Sequence, residues 1–421
     1  MPKGIILYYL VLVLGIVAWR SQEAPSLFLR LAYNVAFFGP FLISKSWRFY
    51  PPLVLLFFTL TTYGFAYSFL SYSYPIYLLV GIILLYRGKS KLYPPNKSVL
   101  VFMFHVFLVD LFMDLSVYDT SICLLFLVLF PSFLPPIDSK GIKNFSFSFM
   151  LITLILASLV LYVGTEYSTL TTAVEGRRVD RAGWMDPNYF GEVVAMGAVV
   201  AFIVVMNWGK HNMITKVIAV AALLAGIFSL VQLASRGAVL FFISGSFCYF
   251  MLSKAKVIYK ILVSLAVAGL VVYILQSGIA DFLMYRIETD TGTGTGRTEI
   301  WQKKINAFFN EGSIINFLIG FGTKAGNRLG FDYVRFFHND FVAVLVNYGF
   351  IGFGMFLYVL LKPFKLARGE GRKEVLALTM ALVAGSMTLE PLRLGYLQWW
   401  CFYYYIYCVA LNSKKIANQN G

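Results

Sequence analysis

The chain has 421 residues, of which 59% are hydrophobic, 18% aromatic and only 13% charged, with a mean hydropathy of +0.74. This composition excludes a soluble globular domain and indicates an integral membrane protein. The net charge of +15 would suit nucleic acid, but many of the basic residues lie in short loops between apolar runs, which is typical of topology signals and anionic-lipid contacts. We therefore expect membrane lipids, and no nucleic acid, as partners.

Long apolar runs separated by short polar turns predict helices, because a strand barrel would show alternation in segments of about 10 residues. We predict an all-α fold, a single polytopic membrane domain over residues 1–421 with about 14 transmembrane helices. The predicted spans are 4–19, 26–43, 52–70, 74–86, 98–117, 120–135, 145–163, 189–207, 216–234, 238–253, 257–276, 338–361, 374–389 and 397–411. Lysines and arginines accumulate in every second gap, which predicts that both termini are cytoplasmic.

Two gaps on the predicted outer side are unusually long, 164–188 and 277–337. The second contains alternating Thr and Gly over residues 289–296, a pattern without apolar period that predicts a mobile loop. It is not a Walker phosphate loop, because no Gly-Lys-Ser or Gly-Lys-Thr follows it. The sequence thus predicts two large periplasmic loops.

Several arginines fall on the predicted outer side, where cationic side chains are normally scarce. Arg178 and Arg181 lie in the first large loop, Arg236 in a short turn, and Arg297 in the long loop. Guanidinium groups bind phosphate oxygens bidentately and stay charged, which suits a diphosphate held at a lipid headgroup. The alternative is contact with lipid headgroups, or pairing with carboxylates such as that of Asp186.

Acidic and amide side chains are candidates for supporting roles. Asp186 or Asn188 can cap the helix after the first loop, whose positive end adds to the field of the arginines. Asp110 and Asp114 share a helix face, either as a proton or ion site or as partners of Arg30. No cluster has metal-ligand spacing, so we predict no metal and no cofactor.

His338 lies where the long loop re-enters the membrane. A neutral imidazole there can accept a proton from an incoming hydroxyl, and Asn339 or Asp340 can orient it or stabilise the imidazolium. The alternative is an interfacial histidine that only caps the following helix. His105, inside a predicted span, and His211, in a predicted cytoplasmic turn, do not compete for an outer role.

In this order the motifs resemble the O-antigen polymerase and ligase superfamily over about residues 175 to 360. The residues that carry the resemblance are Arg181-Ala182-Gly183 leading to Asp186-Pro187-Asn188, Ser235-Arg236-Gly237-Ala238, Arg297 with Trp301, Gly320-Phe321-Gly322, and His338-Asn339 with Gly349 and Gly352. The resemblance implies a metal-independent, inverting glycosyltransferase in the bacterial inner membrane, with an active site facing the periplasm. Its donor and acceptor would be polyprenyl-diphosphate-linked oligosaccharides.

The resemblance also implies residue roles. Arg236 and Arg297, with Arg178 or Arg181, would hold the donor diphosphate, and His338 would act as base on the acceptor hydroxyl. Within the superfamily we favour a polymerase that joins repeat units into O-antigen, capsule or exopolysaccharide, with a chain-length regulator protein as a candidate partner. A ligase that transfers glycan to lipid A core would show the same motifs, and a flippase or transporter of the same lipid-linked sugars is a further alternative.

Overall fold

The computed structural model describes residues 97–113, 139–167, 187–233, 235–254, 297–322, 337–388 and 397–420, with Leu329 and scattered positions between 257 and 276. Within these residues the regular elements are helices, which agrees with the predicted all-α class. The predicted spans before residue 97 and at 120–135 lie outside the described residues. So do Arg178, Arg181, Asp186 and Asp114, and the Thr-Gly stretch.

We number the described α-helices in chain order. They are α1 Lys97–Met113, α2 Ser139–Tyr167, α3 Pro187–Met206, α4 Met213–Leu233, α5 Arg236–Leu252, α6 Arg297–Glu311, α7 Ile314–Ile319, α8 Asp340–Leu366, α9 Gly371–Thr388 and α10 Leu397–Asn420. By length and composition, segments of α2, α4 and α8 can each cross a membrane, namely Gly141–Ser158, Met213–Leu233 and Asp340–Leu366. Shorter apolar stretches occupy α3 and α5.

The segment 277–337, predicted as a loop, contains helices α6 and α7. In α6 the apolar residues Trp301, Ile305 and Phe308 recur at helical spacing within a largely polar sequence. The face that they form packs against α8. Burial of this face stabilises α6, which its largely polar composition alone does not predict to be a helix.

Helix α3 lies at the centre of the described bundle, and its residues from 190 to 204 are all buried. It packs against α2, α4 and α5, as expected for a helix that is apolar on every side. Small residues allow this close packing. A Cβ added to Gly197 would approach the carbonyl oxygen of Phe149 in α2 to 2.7 Å.

Helices α5 and α9 pack closely along their length and run antiparallel. Gly245 of α5 lies against Ala381 of α9, and Phe241, one turn earlier in α5, lies against Gly385, one turn later in α9. The beginning of α5 therefore lies beside the end of α9. Helix α8 is joined to α9 by a short connection, so α8 also begins at this end of the bundle.

Helix α8 is broken at Gly349, where φ is 64° and ψ is −170°. A break in an α-helix leaves the carbonyl groups of the preceding turn without their usual N–H donors. Here these are the carbonyls of Val346, Asn347 and Tyr348. Buried in an apolar layer, each would destabilise the fold unless another segment supplied a donor.

Donors from two other segments satisfy these carbonyls: the N–H of Phe321 on Val346 O at 3.1 Å, the N–H of Gly322 on Asn347 O at 2.8 Å, and Nε2 of His105 on Tyr348 O at 3.1 Å. A carbonyl oxygen can only accept, so Nε2 of His105 carries the hydrogen. The break in α8 thus fixes the positions of α1 and of the segment that follows α7.

The close approach at the break leaves no room for a side chain on either partner. A Cβ on Gly320, whose φ is +86°, would lie 2.1 Å from Asn347 O. A Cβ on Gly349 would lie 2.5 Å from the carbonyl carbon and oxygen of Leu318. Both glycines combine a left-handed backbone with a backbone contact that excludes Cβ.

Aromatic residues of α10 bind it to its neighbours. The Trp399 indole N–H donates to Ser386 Oγ of α9 at 2.9 Å, and the Tyr403 hydroxyl donates to Val359 O of α8 at 2.9 Å. The two rings stack with centroids 5.4 Å apart. Each polar edge thus finds a partner while the ring faces stay in the apolar core.

Replacement of His105 tests the description of the break. His105→Phe keeps a ring of similar size but removes the donor to Tyr348 O, and an unsatisfied buried acceptor costs about 1–3 kcal/mol. We expect the free energy of unfolding in detergent to fall by this amount. The His105→Gln variant retains an N–H donor, so its free energy of unfolding should fall less. Phe104→Leu, at an exposed position beside it, is the control. A His105→Phe variant as stable as the wild type would contradict this role.

Candidate functional site

The first turns of α3 and α5 are joined by a side-chain hydrogen bond. The Ser235 hydroxyl donates to Asn188 Oδ1 at 3.1 Å instead of capping α5. Asn188, which the sequence suggested as a helix cap, lies within the first turn of α3. Arg236 is the first residue of α5 and is half-buried. The Asn188–Ser235 pair thus fixes the point from which Arg236 projects.

Arg297 is the first residue of α6, and its Nη1 donates to the carbonyl oxygen of Thr388 at 2.6 Å. Thr388 is the last residue of α9, where carbonyl groups have no partner within the helix. Because α9 ends beside the beginning of α5, this contact brings Arg297 to the end of the bundle that carries Arg236. We call it the arginine end.

His338 is connected to the same end through α6. The Trp301 indole N–H, one turn after Arg297, donates to the carbonyl oxygen of Phe337 at 2.7 Å. His338 follows directly and precedes α8, which also begins at the arginine end. The structure therefore brings Arg236, Arg297 and His338, which are far apart in sequence, to one end of the bundle.

The backbone of His338 has φ of 53°, the left-handed region, and no other described residue except glycine has a positive φ. For a residue with a side chain, this conformation costs about 1–3 kcal/mol and persists only when neighbours impose it. The Asn339 carboxamide oxygen accepts hydrogen bonds from the N–H groups of Phe341 at 2.9 Å and Val342 at 3.2 Å. Asn339 is therefore the cap of α8, and the interpretation of His338 as a helix cap is wrong.

Asp340 occupies the first position of α8 and is only 1% exposed. A carboxylate at the positive end of a helix is electrostatically favourable. Asn339 as cap, together with this favourable charge of Asp340, stabilises the start of α8 next to His338. Asp110, the other described acidic candidate, is buried in α1.

The three histidines of the chain have different surroundings. His105 donates to the break in α8. His211 lies in the turn between α3 and α4, where burial, followed by the positive charges of Lys143, Lys210 and Lys216, lowers its pKa below 6.5. His338 is the histidine at the arginine end.

Lys304 was not singled out from the sequence, yet it is only 1% exposed. Its ammonium nitrogen lies 3.6 Å from the centroid of the Phe337 ring. Lysine in a polar segment normally indicates a solvated face. One feature of the sequence could have identified it. The residues Arg297, Trp301, Lys304 and Phe308 follow one another at intervals of three or four, which places Lys304 on the packed face of α6.

The arginine end combines several sources of positive potential. Helices α3, α5, α6 and α8 all begin there, and a helix N-terminus carries about half a positive charge, while Arg297 contacts the oppositely charged end of α9. The guanidinium groups of Arg236 and Arg297 add full charges. No group of three His, Cys, Asp or Glu residues suited to a metal lies together in the described part of the chain. Chemically, the arrangement can bind an anion and place an imidazole at the same end of the bundle.

A comparison with known protein families matches the part of the chain that carries Arg236, Arg297 and His338. Residues 220–357 match the O-antigen ligase family, while no match to a curated protein is found. The matched segment runs from α4 into α8 and includes Arg236, Arg297 and His338. It also contains Gly320 and Gly349, the glycines that meet at the helix break. Over this segment the chain, a multi-pass membrane protein, is similar to the O-antigen ligase family, which supports the resemblance to the O-antigen polymerase and ligase superfamily.

Proposed function

We propose that the protein is a membrane-embedded glycosyltransferase that polymerises polyprenyl-diphosphate-linked oligosaccharide repeat units into O-antigen, capsule or exopolysaccharide at the periplasmic face of the inner membrane. One observation carries the proposal. Contacts between α3, α5, α6, α8 and α9 bring Arg236, Arg297 and His338 to the same end of the bundle, within the matched segment.

The two arginines stabilise the leaving group. As the bond from the anomeric carbon to the donor phosphate oxygen breaks, negative charge develops on the departing diphosphate, and preorganised cations stabilise that charge. A guanidinium carries five N–H donors, so the bond from Arg297 to Thr388 O orients the group without exhausting its capacity. The Asn188–Ser235 pair fixes the helix start that carries Arg236.

His338 acts as the general base. The acceptor hydroxyl oxygen attacks the anomeric carbon on the face opposite the diphosphate, so the configuration there is inverted. The hydroxyl proton passes to the neutral imidazole of His338, and the diphosphate leaves with the bonding electrons. Neither the base nor the arginines require a metal for this step.

A ligase that transfers the finished glycan to lipid A core is the second candidate, because the matched family is described as O-antigen ligase. Both reactions break the same bond and differ in the acceptor hydroxyl. The arginine end would serve the donor equally well in either case.

Purified protein in liposomes, supplied with lipid-linked repeat units, tests the proposal. We expect carrier-linked glycans of more than one repeat, and addition of lipid A core should not redirect the product. Transfer to the core without chain extension would identify a ligase. Movement of the substrate across the membrane without any new glycosidic bond would identify a transporter and contradict both enzymatic readings.

Removal of the arginines should slow this reaction strongly. Arg236→Ala and Arg297→Ala each remove a charge-assisted donor from the leaving group, a loss worth about a hundredfold to a thousandfold in kcat. Lysine at either position should restore activity only in part, because a point charge does not reproduce the guanidinium fork. Arg372→Ala, at the opposite end of α9, is the matched control. Near-normal polymer from both alanine variants, at equal protein levels, would refute the diphosphate role.

Replacement of His338 should abolish general-base help, which typically contributes about a hundredfold to ten-thousandfold. We expect His338→Gln to insert and fold, to bind the lipid-linked donor through the arginines, and to lose turnover by this factor. His211→Gln, in the turn at the other end of α3, controls for loss of a histidine. Wild-type turnover by His338→Gln would assign deprotonation to another group, with Asp340 as the next to test.

A further inference from the structure

Four residues on one face of α6 connect this helix to the elements that form the site. Arg297, Trp301, Lys304 and Phe308 follow one another at intervals of three or four residues and therefore lie on the same face. Arg297 contacts the end of α9, Phe308 packs in a cluster with residues of α8, and Trp301 and Lys304 both contact Phe337. The two middle residues of the face thus converge on the residue that precedes His338.

The bond from Trp301 acts on the peptide plane before His338. The Phe337 carbonyl that accepts from the indole belongs to the same peptide unit as the N–H of His338. Its orientation therefore defines the backbone angle φ of His338, which has the unusual value of 53°. The Asn339 cap fixes the backbone on the other side.

Lys304 acts on the Phe337 side chain. Its ammonium group lies over the ring, which is only 3% exposed, at a distance typical of a strong cation–π interaction. Removal of a lysine charge from water is costly, and a leucine or methionine would fill the same space without that cost. The Phe337 ring is thus a partner of the buried ammonium group, and the contact restrains the residue that directly precedes His338.

We propose that Trp301 and Lys304 are positioning residues that hold His338 in its left-handed conformation through Phe337. Because Arg297 lies on the same helix face, α6 also couples the group that binds the leaving diphosphate to the base that activates the acceptor. This inference rests on the proposed function for its catalytic consequence. Its geometric content, that the Trp301–Lys304–Phe337 contacts determine the placement of His338, holds without it.

Steady-state kinetics of four variants test the catalytic consequence. Misplacement of a reacting group by about 1 Å costs about a hundredfold in rate. We expect Lys304→Met and Trp301→Phe to lower kcat by up to this factor with KM for the lipid-linked donor little changed. Lys304→Arg should recover most of the rate, because a guanidinium also stacks on an aromatic face. Lys303→Met, at the exposed neighbouring position, should match the wild type.

A double variant separates action through Phe337 from a general loss of packing. If Lys304 acts through the ring, Phe337→Leu combined with Lys304→Met should be no slower than the slower of the two single variants. Additive losses would contradict the proposed route. A rise in KM with unchanged kcat in Lys304→Met would assign the lysine to substrate binding and overturn the positioning role.

Chemical modification of His338 tests the geometry without turnover. His338, which is partly buried, is treated with diethyl pyrocarbonate, and the carbethoxylation rate of its imidazole is followed by peptide mass spectrometry. We expect a several-fold change of this rate in Lys304→Met and Trp301→Phe, and none in Lys303→Met. Unchanged rates in both would overturn the inference. A wild type that transfers no glycan would refute the proposed function, whereas this comparison would still decide the placement of His338.

Discussion

A backbone carbonyl without a hydrogen-bond donor is costly to place in an apolar layer, and the break of α8 at Gly349 creates a set of such carbonyls. The fold supplies the missing donors from the segment after α7 and from His105 of α1. These hydrogen bonds therefore fix the position of each of the two segments along the axis of α8. With the end of α7 fixed in this way, α6 lies against the beginning of α8, where the candidate site is formed.

The site is built from helix ends. Helices α3, α5, α6 and α8 begin at the arginine end, so the backbone dipoles of four helices point their positive ends to one region, while α9 ends there with its negative end contacted by Arg297. Each dipole is worth about 0.3–1 kcal/mol toward an anion at an exposed surface, whereas a hydrogen bond to a charged group is worth about 1.5–3 kcal/mol. Arg236 and Arg297 would therefore provide most of the affinity for a diphosphate, and the helix N-termini would contribute a smaller part.

The free-energy cost of the backbone strain at His338 is small enough for the contacts of neighbouring residues to offset it. A left-handed conformation costs about 1–3 kcal/mol, while a helix cap such as Asn339 contributes about 1 kcal/mol and a hydrogen bond such as that from Trp301 about as much again. The conformation is thus imposed jointly by both flanking contacts. Such over-determined strain is common where a side chain must be presented in one orientation, which fits the proposed role of the imidazole.

The sequence by itself determined the helical class and the approximate limits of most described helices, and it predicted candidate residues for the site. The span predicted at 189–207 is helix α3 at 187–206, because apolar run length and polar interruptions are local properties. The motif order predicted which arginines and which histidine to consider. The position of these arginines and this histidine at one end of the bundle became evident only from the antiparallel packing of α5 and α9 in the structure.

Tertiary structure decided the features that depend on partners distant in the chain. His105 and Tyr348 are 243 residues apart, and nothing near either residue indicates the hydrogen bond between them. Helices α6 and α7 appear within a predicted loop because α8 offers a surface that buries their apolar residues. Lys304 is buried for the same reason. A residue pattern specifies which faces can be buried, but the surface that buries them belongs to another part of the chain.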